Sequence, residues 1–157
     1  MGRRHQIPRE VFLSHASADR AAATMIADTL RAHGVPVWYS RTHLRGAQQW
    51  HDEIGRALRR CDWFIVLLSP ASVKSRWVRR ELLFALNARQ FEDRIVPVLL
   101  RPCRTVVLSW TLDALQRVDC EADVRAGLAD LLRVWGLRLD RRKTGPGRRS
   151  RLGRRRG

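Results

Sequence analysis

"WFIVLLSP", residues 63–70, is the stretch that decides the fold of this chain. Six apolar residues in a row, Trp63 to Leu68, precede a serine and a proline. A strand built from them is apolar on both faces, and such strands lie inside parallel sheets whose two sides are covered by helices. The stretch therefore predicts an α/β protein with this strand at the centre of its sheet.

Shorter apolar runs and amphipathic stretches alternate on both sides of this strand. Strands that alternate with helices are typical of a parallel α/β sheet. About five predicted strands indicate a flavodoxin-like, doubly wound fold with helices on both faces. Pro97 is unusual in the fourth strand, because proline lacks a backbone donor and favours sheet edges or bulges. The predicted strands are 10–15, 35–40, 63–70, 94–100 and part of 114–120. The predicted helices begin near Asp19, which is expected to cap the first helix, near Trp50, at Ser72 or Ser75, either of which can cap the third, and near Val124.

The composition indicates a single globular domain. The chain has 157 residues, 45% of them hydrophobic, which is enough to bury a core. It contains no apolar run long enough to span a bilayer, and its first residues lack the apolar region of a signal peptide. Cys61, Cys103 and Cys120 are scattered and odd in number, which fits neither a disulfide framework nor a metal site. We therefore expect a cytoplasmic protein without membrane contact and without metal.

The net charge of +16 is concentrated at the carboxyl terminus. Residues 138–157 hold ten Lys and Arg side chains against one acid, Asp140, and so account for +9 of the total. This predicts a domain over residues 9–136 and a basic tail, 137–157, that buries no core and is expected to be disordered. A solvated tail is the favoured interpretation, and an arm that binds nucleic acid or another polyanion is the alternative.

The fold rule for open α/β sheets points to the residues that follow the first and third strands. Ligands of such sheets bind beyond the carboxyl ends of the strands, where the winding direction reverses. Ser14, His15 and Ala16 occupy that position after the first strand, and Ser69 occupies it after the third. We expect these residues to contact a ligand, although a histidine such as His15 is more often an ordinary polar loop residue than a general base.

The helix after the central strand carries one acid, Glu81, four residues after Trp77. Helical spacing places Trp77, Glu81 and Phe84 on one face, beside an apolar stripe that is the predicted core face. Glu81 is thus expected next to an indole at the border of the core. Periodicity alone favours an exposed glutamate that pairs with a neighbouring arginine, as charged residues on helices usually do. The predicted core stripe consists of Val78, Leu82, Ala85 and Leu86.

Four stretches resemble the successive sequence boxes of the TIR (Toll/interleukin-1 receptor) domain family, in its bacterial NAD-cleaving form. The resemblance covers residues 9 to 135, and its third box, S-P followed by S-x-W-x-x-x-E-L, is fairly specific. It implies the flavodoxin-like fold that the strand pattern predicts independently. The stretches are "VFLSHASAD" (11–19), "VWYSRTHLRGAQQW" (37–50), "CDWFIVLLSPASVKSRWVRREL" (61–82) and "IVPVLL" (95–100).

The resemblance implies that Glu81 is the catalytic residue of an NAD-cleaving enzyme and that Trp77 lines its pocket. It adds Ser40, after the second strand, and Gly46, in the following loop, to the substrate-binding residues. Many family members have an acid near Ser40 and Pro-Gly where this chain has Arg45-Gly46, a departure that bears on the ribose or phosphate contacts of that loop. The predicted substrate-binding residues are Ser14, His15, Ala16, Ser40, Gly46, Ser69 and Trp77.

A single carboxylate is sufficient for this chemistry. An ordinary glycosidase needs a second acid because its alkoxide leaving group must be protonated. Nicotinamide departs from the cationic pyridinium of NAD as a neutral molecule. The enzyme therefore has only to stabilise a developing oxocarbenium ion and hold the ribose hydroxyls. NAD is the expected substrate, and no separate cofactor is expected.

Three functions follow as hypotheses. The first is a TIR enzyme that converts NAD to nicotinamide and ADP-ribose, or to a cyclic or conjugated ADP-ribose, in defence or cell-death signalling. The resemblance implies that such an enzyme works as a homo-oligomer held by TIR–TIR contacts. The second is a non-catalytic adaptor that associates with other TIR domains through the loop around Gly46. The third is a nucleic-acid binder driven by the basic tail. The intact W-x-x-x-E spacing of Trp77 and Glu81 favours the first.

Overall fold

The computed structural model describes residues 6–40 and 47–144, with only the backbone described at 47–50. The strands are β1 Val11–Ser14, β2 Val37–Trp38, β3 Trp63–Leu68, β4 Ile95–Leu99 and β5 Val118–Asp119. Within the described residues they form one parallel sheet of five strands in the order β2-β1-β3-β4-β5. This is the strand order of flavodoxin-like folds, and it confirms the predicted fold class.

β3 is the central strand, as its apolar sequence predicts. It pairs with β1 on one side, from Val11↔Trp63 to Ser14↔Val66, and with β4 on the other. All six residues of β3 are buried. Since β2 lies beyond β1 while β4 lies beyond β3, the winding of the chain reverses between β1 and β3. A ligand site is therefore expected beyond the carboxyl ends of these two strands.

Helices cover both faces of the sheet. Their ranges are α1 Arg20–Ala32, α2 Ala47–Arg60, α3 Arg76–Asn87 and α4 Val124–Arg133. α1 and α4 pack on one face, and α2 and α3 pack on the other. The chain leaves α1 through Gly34, whose φ of +83° lies in the left-handed region that favours glycine. This glycine allows the turn that leads directly from α1 into β2.

The side chains of β1 alternate between the two cores of the protein. Val11 and Leu13 pack with α1 and α4. Phe12 packs on the opposite face with α2 and α3, where its ring is stacked on that of Phe64 with 5.4 Å between centroids. By the same alternation, Ser14 faces α2 and α3. The register of β1 thus decides which helix its last, polar residue meets.

Pro97 lies inside the sheet, opposite Val66 of β3, although proline favours edges. The backbone bonds of Arg94 and Leu100 to β3 place the even-numbered residues of β4 on the β3 side. Successive residues of a strand direct their backbone groups to opposite sides, so the nitrogen of Pro97 faces β5. β5 begins to pair only at Val98. The missing donor of the proline therefore costs β4 none of its bonds to β3.

The chain continues to pack against the domain beyond Gly136. Leu137 and Leu139 lie partly buried against the core on the α1 and α4 side. The backbone N–H of Asp140 donates to Nε2 of His33, with 2.9 Å between the two nitrogens. Contacts with the domain thus extend past the predicted boundary at residue 136. Residues 145–157, which carry most of the arginines of the tail, lie outside the described residues, so its predicted disorder and polyanion binding stay predictions.

The cysteines serve the packing of the domain. All three are free, with Cys61 and Cys120 buried and Cys103 half-buried. Burial raises the pKa of the Cys61 thiol to about 12 and that of the Cys120 thiol to about 11. Both are protonated at neutral pH and behave as small apolar groups. None of the helices that the structure describes combines the length and apolar character needed to cross a membrane.

Candidate active site

The last residue of β1 meets the middle of α3. Ser14 Oγ donates a hydrogen bond to Oε2 of Glu81, with 2.5 Å between the two oxygens. Ser14 is 1% exposed and Glu81 is 9% exposed, so this bond lies inside the protein. It joins the carboxyl end of β1 to the helix that follows β3, at the edge of the sheet where a ligand is expected.

The local sequence sets both the start and the rotation of α3. Ser75 is its N-cap, and the Ser75 Oγ accepts a bond from the backbone N–H of Val78 at 3.3 Å. From this start, helical spacing turns Val78, Glu81, Leu82 and Ala85 inward, and all four are buried. The apolar stripe predicted from the sequence is therefore the core face of α3, and Glu81 is part of it.

Glu81 is not the exposed, arginine-paired residue that periodicity alone favours. Within the described chain its carboxylate bonds to the Ser14 hydroxyl, and none of the ion pairs found there involves it. Burial raises the pKa of Glu81 to about 7, and the bond from Ser14 opposes this rise with a smaller effect. The carboxyl group thus exchanges its proton near neutral pH, as catalytic carboxyl groups often do.

Trp77 lies one turn before Glu81 on α3 and is half-buried. Its indole makes an edge-on contact with the ring of His51 on α2, with 5.8 Å between centroids. The guanidinium of Arg80 lies over the same indole, 5.3 Å from its centroid. Trp77 therefore links α2 to α3, one helical turn from Glu81. A role in packing between the two helices and a place in a pocket wall both fit this position.

A second buried acid, Asp19, lies at the same sheet edge and contacts Ser69. Ser69 Oγ donates to Oδ2 of Asp19 with 2.5 Å between the oxygens, and Asp19 is 2% exposed. Ser69 and Ser72 bond to each other through backbone and side chain, which closes the turn after β3. Asp19 occupies the N-cap position of α1, but its side chain makes no capping bond. The predicted capping role of its side chain is therefore wrong.

The other predicted site residues lie around this edge at different depths. His15 is buried, and its ring lies edge-on to that of Tyr39 with 5.9 Å between centroids. Ala16 is also buried, and Ser40 is half-buried just after β2. Gly46 lies outside the described residues, so its role in substrate binding stays a prediction.

Two candidate residues of this site could not be recognised as site residues from the sequence. Asp19 looks like an ordinary helix cap, since aspartate is common before a helix. Arg101 follows β4 without any motif around it, yet its Nη2 lies 3.6 Å from Oδ1 of Asp19. Both contacts depend on the neighbouring positions of β1, β3 and β4 in the sheet, and the spacing of residues along the chain does not display them.

The carboxyl edge of the sheet is the candidate active site. It brings Ser14 to Glu81 and Ser69 to Asp19, so that two buried acids lie near the point where the winding reverses. In the part of the chain that the structure describes, no three His, Cys, Asp or Glu residues are grouped in a way that could hold a metal ion. A cleft of about 730 Å³ at the amino ends of the strands is lined by none of the predicted site residues.

Comparison with known sequences identifies one family over most of the chain. The model of the TIR domain family matches residues 11–133. The chain is 34% identical over 107 residues to the NAD(+) hydrolase PdTIR of Paracoccus denitrificans, a match that covers 66% of this chain and 36% of that protein. It is also 34% identical over 74 residues to the 2′ cyclic ADP-D-ribose synthase BtTIR of Bacteroides thetaiotaomicron, covering 46% of this chain and 26% of that protein. The match thus spans about a third of the length of the first relative and about a quarter of the length of the second.

Solved structures share the fold. The TIR domain of the Toll-related receptor TRR-2 from Hydra magnipapillata superposes with a TM-score of 0.64 at 23% identity, covering 78% of this chain and 94% of that one. A metazoan TIR-STING receptor from C. gigas, solved in complex with 2′,3′-cGAMP, superposes with a TM-score of 0.66 at 26% identity. That match covers 82% of this chain and 39% of the receptor.

The buried state of Glu81 predicts that its neutral analogue stabilises the protein at high pH. Since the folded pKa of about 7 exceeds the ordinary value of 4.5, folding favours the protonated carboxyl. Its contribution to stability is complete below pH 4.5 and is lost as the pH rises through 7. We expect Glu81→Gln to exceed the native chain in free energy of unfolding by about 3 kcal/mol at about pH 8.5, and by much less at about pH 5.

Denaturant unfolding at both pH values measures this difference. Glu92→Gln, at an exposed glutamate just after Phe91, is the matched control and should follow the native chain at both pH values. If Glu81→Gln and the native protein had equal free energies of unfolding at high pH, ionisation of Glu81 would not destabilise the fold, and the prediction would be wrong.

Proposed function

Because the chain belongs to the TIR domain family, we propose that it cleaves the nicotinamide–ribose bond of NAD, with Glu81 as its catalytic carboxylate. The observation that carries this proposal is the buried Glu81, hydrogen-bonded to Ser14 at the carboxyl edge of the sheet. The names of two relatives, an NAD(+) hydrolase and a 2′ cyclic ADP-D-ribose synthase, support NAD as the substrate.

The proposed reaction uses Glu81 in its ionised form. As the bond between nicotinamide and ribose breaks, its electron pair stays with nicotinamide, which leaves as a neutral molecule. Positive charge develops on the ribose, and the Glu81 carboxylate stabilises it in a site that is largely closed to water. Water or a hydroxyl group then adds to the ribose and releases a proton. The products are nicotinamide and ADP-ribose, or a cyclic or conjugated ADP-ribose.

The hydrogen bond from Ser14 favours the ionised form of Glu81. A hydroxyl that donates to a carboxylate stabilises the ionised state and lowers the pKa of the acid. The same bond fixes the rotamer of the Glu81 side chain against β1, at an oxygen separation of 2.5 Å. Ser14 is therefore proposed as a residue that positions and ionises Glu81, in addition to its place among the predicted substrate-binding residues.

Self-association is part of the proposal. Five exposed large apolar side chains lie on α3 and in the segment 105–114, and Arg79 joins these two elements through a 3.0 Å bond from its Nη2 to the Val107 carbonyl. An exposed apolar surface of this kind is typical of protein contacts, and we propose that it contributes to a homo-oligomer. These side chains are Leu83, Phe84, Val106, Val107 and Trp110.

The same surface supports a second candidate function, a TIR adaptor that acts by association alone. The adaptor needs the exposed apolar side chains but does not need a buried acid at the carboxyl edge. Whether the chain cleaves NAD therefore distinguishes the enzyme from the adaptor.

The free cysteines are compatible with a cytoplasmic location, which we propose together with a role in defence or cell-death signalling.

The first prediction of this proposal concerns Glu81 itself. We expect the native chain, at high protein concentration, to release nicotinamide from NAD, and Glu81→Gln to lower the rate by about a thousandfold or more because the stabilising charge is lost. Chromatography and mass determination of both products measure the rate and separate hydrolysis from cyclisation. Glu92→Gln is the control and should retain the native rate. Full activity in Glu81→Gln would remove Glu81 from the mechanism.

The second prediction concerns the pH dependence of cleavage. If the ionised Glu81 is the active form, kcat/KM rises with pH around the pKa of about 7. Ser14→Ala removes a donor to the carboxylate, so the rise should move to higher pH. Ser14→Thr retains the hydroxyl and should keep a profile close to the native one. A profile that is the same in Ser14→Ala and the native chain would contradict the proposed role of Ser14.

The third prediction concerns the apolar surface. We expect the specific activity to increase with protein concentration, and Trp110→Ser, at a side chain that is 77% exposed, to weaken this dependence together with self-association. Met25→Ser, at an exposed side chain on α1, is the control. Analytical ultracentrifugation and activity at matched concentrations measure both effects. Unchanged association in Trp110→Ser would assign the interface to another surface.

A further inference from the structure

Asp19 is a buried acid with one oxygen that lacks a hydrogen bond. Its Oδ2 accepts the bond from Ser69, and its side chain is 1% exposed. Among the described residues, Oδ1 has no hydrogen-bond partner. The cation paired with it is Arg101, whose Nη2 at 3.6 Å is too distant for a hydrogen bond. A buried carboxylate oxygen without a donor is costly, so a donor from outside the described chain is expected there.

The fold of the sheet relates this oxygen to Glu81. Ser14 pairs with Val66, and Ser69 lies three residues further along the chain from Val66. The hydroxyls that bond to Glu81 and Asp19 are therefore separated by roughly 10 Å along the strand direction, because a strand advances about 3.3 Å per residue. Glu81 lies on the α3 side of the sheet and Asp19 on the α1 side. A ligand that reaches both acids must extend across the carboxyl edge.

We propose that Oδ1 of Asp19 accepts a hydrogen bond from a hydroxyl of the adenosine ribose of NAD, and that this contact selects NAD over NADP. The inference rests on the proposed function, which places the nicotinamide ribose at Glu81. NAD carries two riboses joined by a pyrophosphate bridge, and two acids on opposite sides of one sheet edge match that arrangement. A carboxylate only accepts hydrogen bonds, so it fits a ribose hydroxyl.

The charge of Asp19 gives the contact its selectivity. NADP differs from NAD by a phosphate on the 2′ oxygen of the adenosine ribose. That phosphate would remove the hydroxyl donor and would place negative charge against a buried carboxylate. The guanidinium of Arg101 offsets only part of this repulsion, because it already pairs with the same carboxylate. Arg101 has a side chain that is 67% exposed, so its guanidinium can move aside when the hydroxyl reaches Oδ1.

None of the described hydrogen bonds that hold the fold uses Oδ1 of Asp19. Ser69 and Ser72 close the turn after β3 through hydrogen bonds to each other. Asp19 contributes only its Oδ2 atom, which accepts the bond from Ser69 Oγ. The Asp19 side chain makes no bond to the first turn of α1. A neutral asparagine would therefore retain the Ser69 contact through its amide oxygen and present an N–H group where Oδ1 now lies. This makes Asp19→Asn a sharp test, because it exchanges the acceptor for a donor while the contact to Ser69 is kept.

The experiment compares the kcat/KM values of the native chain and Asp19→Asn with NAD and with NADP. The ratio of the two values is independent of the fraction of active protein, so a merely structural loss does not move it. We expect the native chain to prefer NAD, and Asp19→Asn to reduce the NAD-to-NADP ratio by about tenfold, as the loss of one charge-assisted hydrogen bond would do. Asp113→Asn is the matched control, since Asp113 accepts a 3.0 Å bond from Thr105 at an exposed position, and its ratio should be native.

A native ratio in folded Asp19→Asn would overturn the inference while leaving the proposed function intact. Calorimetric binding of ADP-ribose and of its 2′-phosphorylated form covers the case in which no cleavage is seen. Preference for ADP-ribose that is lost in Asp19→Asn supports the ribose contact even if the chain does not cleave NAD. Equal binding of the two ligands, or no binding of either, overturns it.

Discussion

The burial of one carboxylate against the end of a strand is the constraint on which the rest of this structure depends. Glu81 belongs to the core face of α3, where an acid is costly unless a donor meets it. The donor is Ser14, which faces α3 because the side chains of β1 alternate between the two cores. The Ser75 cap sets the start of α3 and so turns Glu81 inward. The hydrogen bond between Ser14 and Glu81 therefore requires three things together: the observed register of β1, the start of α3 at Ser75, and a buried face of α3 that includes Glu81.

The order of the strands in the parallel sheet brings residues from both faces of the sheet to one candidate site. Because β1 and β3 are neighbours and their helices lie on opposite faces, the residues that follow them approach one edge from two directions. Ser14 holds Glu81 on one side, and Ser69 holds Asp19 on the other. Each acid is thus paired with a serine at a strand end, which fixes its position before any ligand arrives. Preorganised polar groups of this kind stabilise developing charge without reorganisation at the moment of reaction.

The sequence predicts the architecture because the architecture is recorded in local patterns. The apolar run of β3 and the helical spacing of α3 each specify an element, and the alternation of elements specifies the sheet. The resemblance carried by Trp77 and Glu81 then singled out the acid. The tertiary contacts were not accessible in this way: periodicity favoured an exposed Glu81, and Asp19 looked like a cap. Both errors concern a hydroxyl that is distant in the sequence and close only after the sheet has formed.

Pro97 has a consequence for the backbone groups of the sheet. Its nitrogen faces β5, yet β5 pairs with β4 only from Val98 onward, and position 97 is buried. Any other residue there would direct a buried N–H group to the side where no strand accepts it, which is costly. Proline has no such group. It therefore allows β5 to be short without leaving a buried donor unpaired, and the pairing of β4 with β3 stays intact.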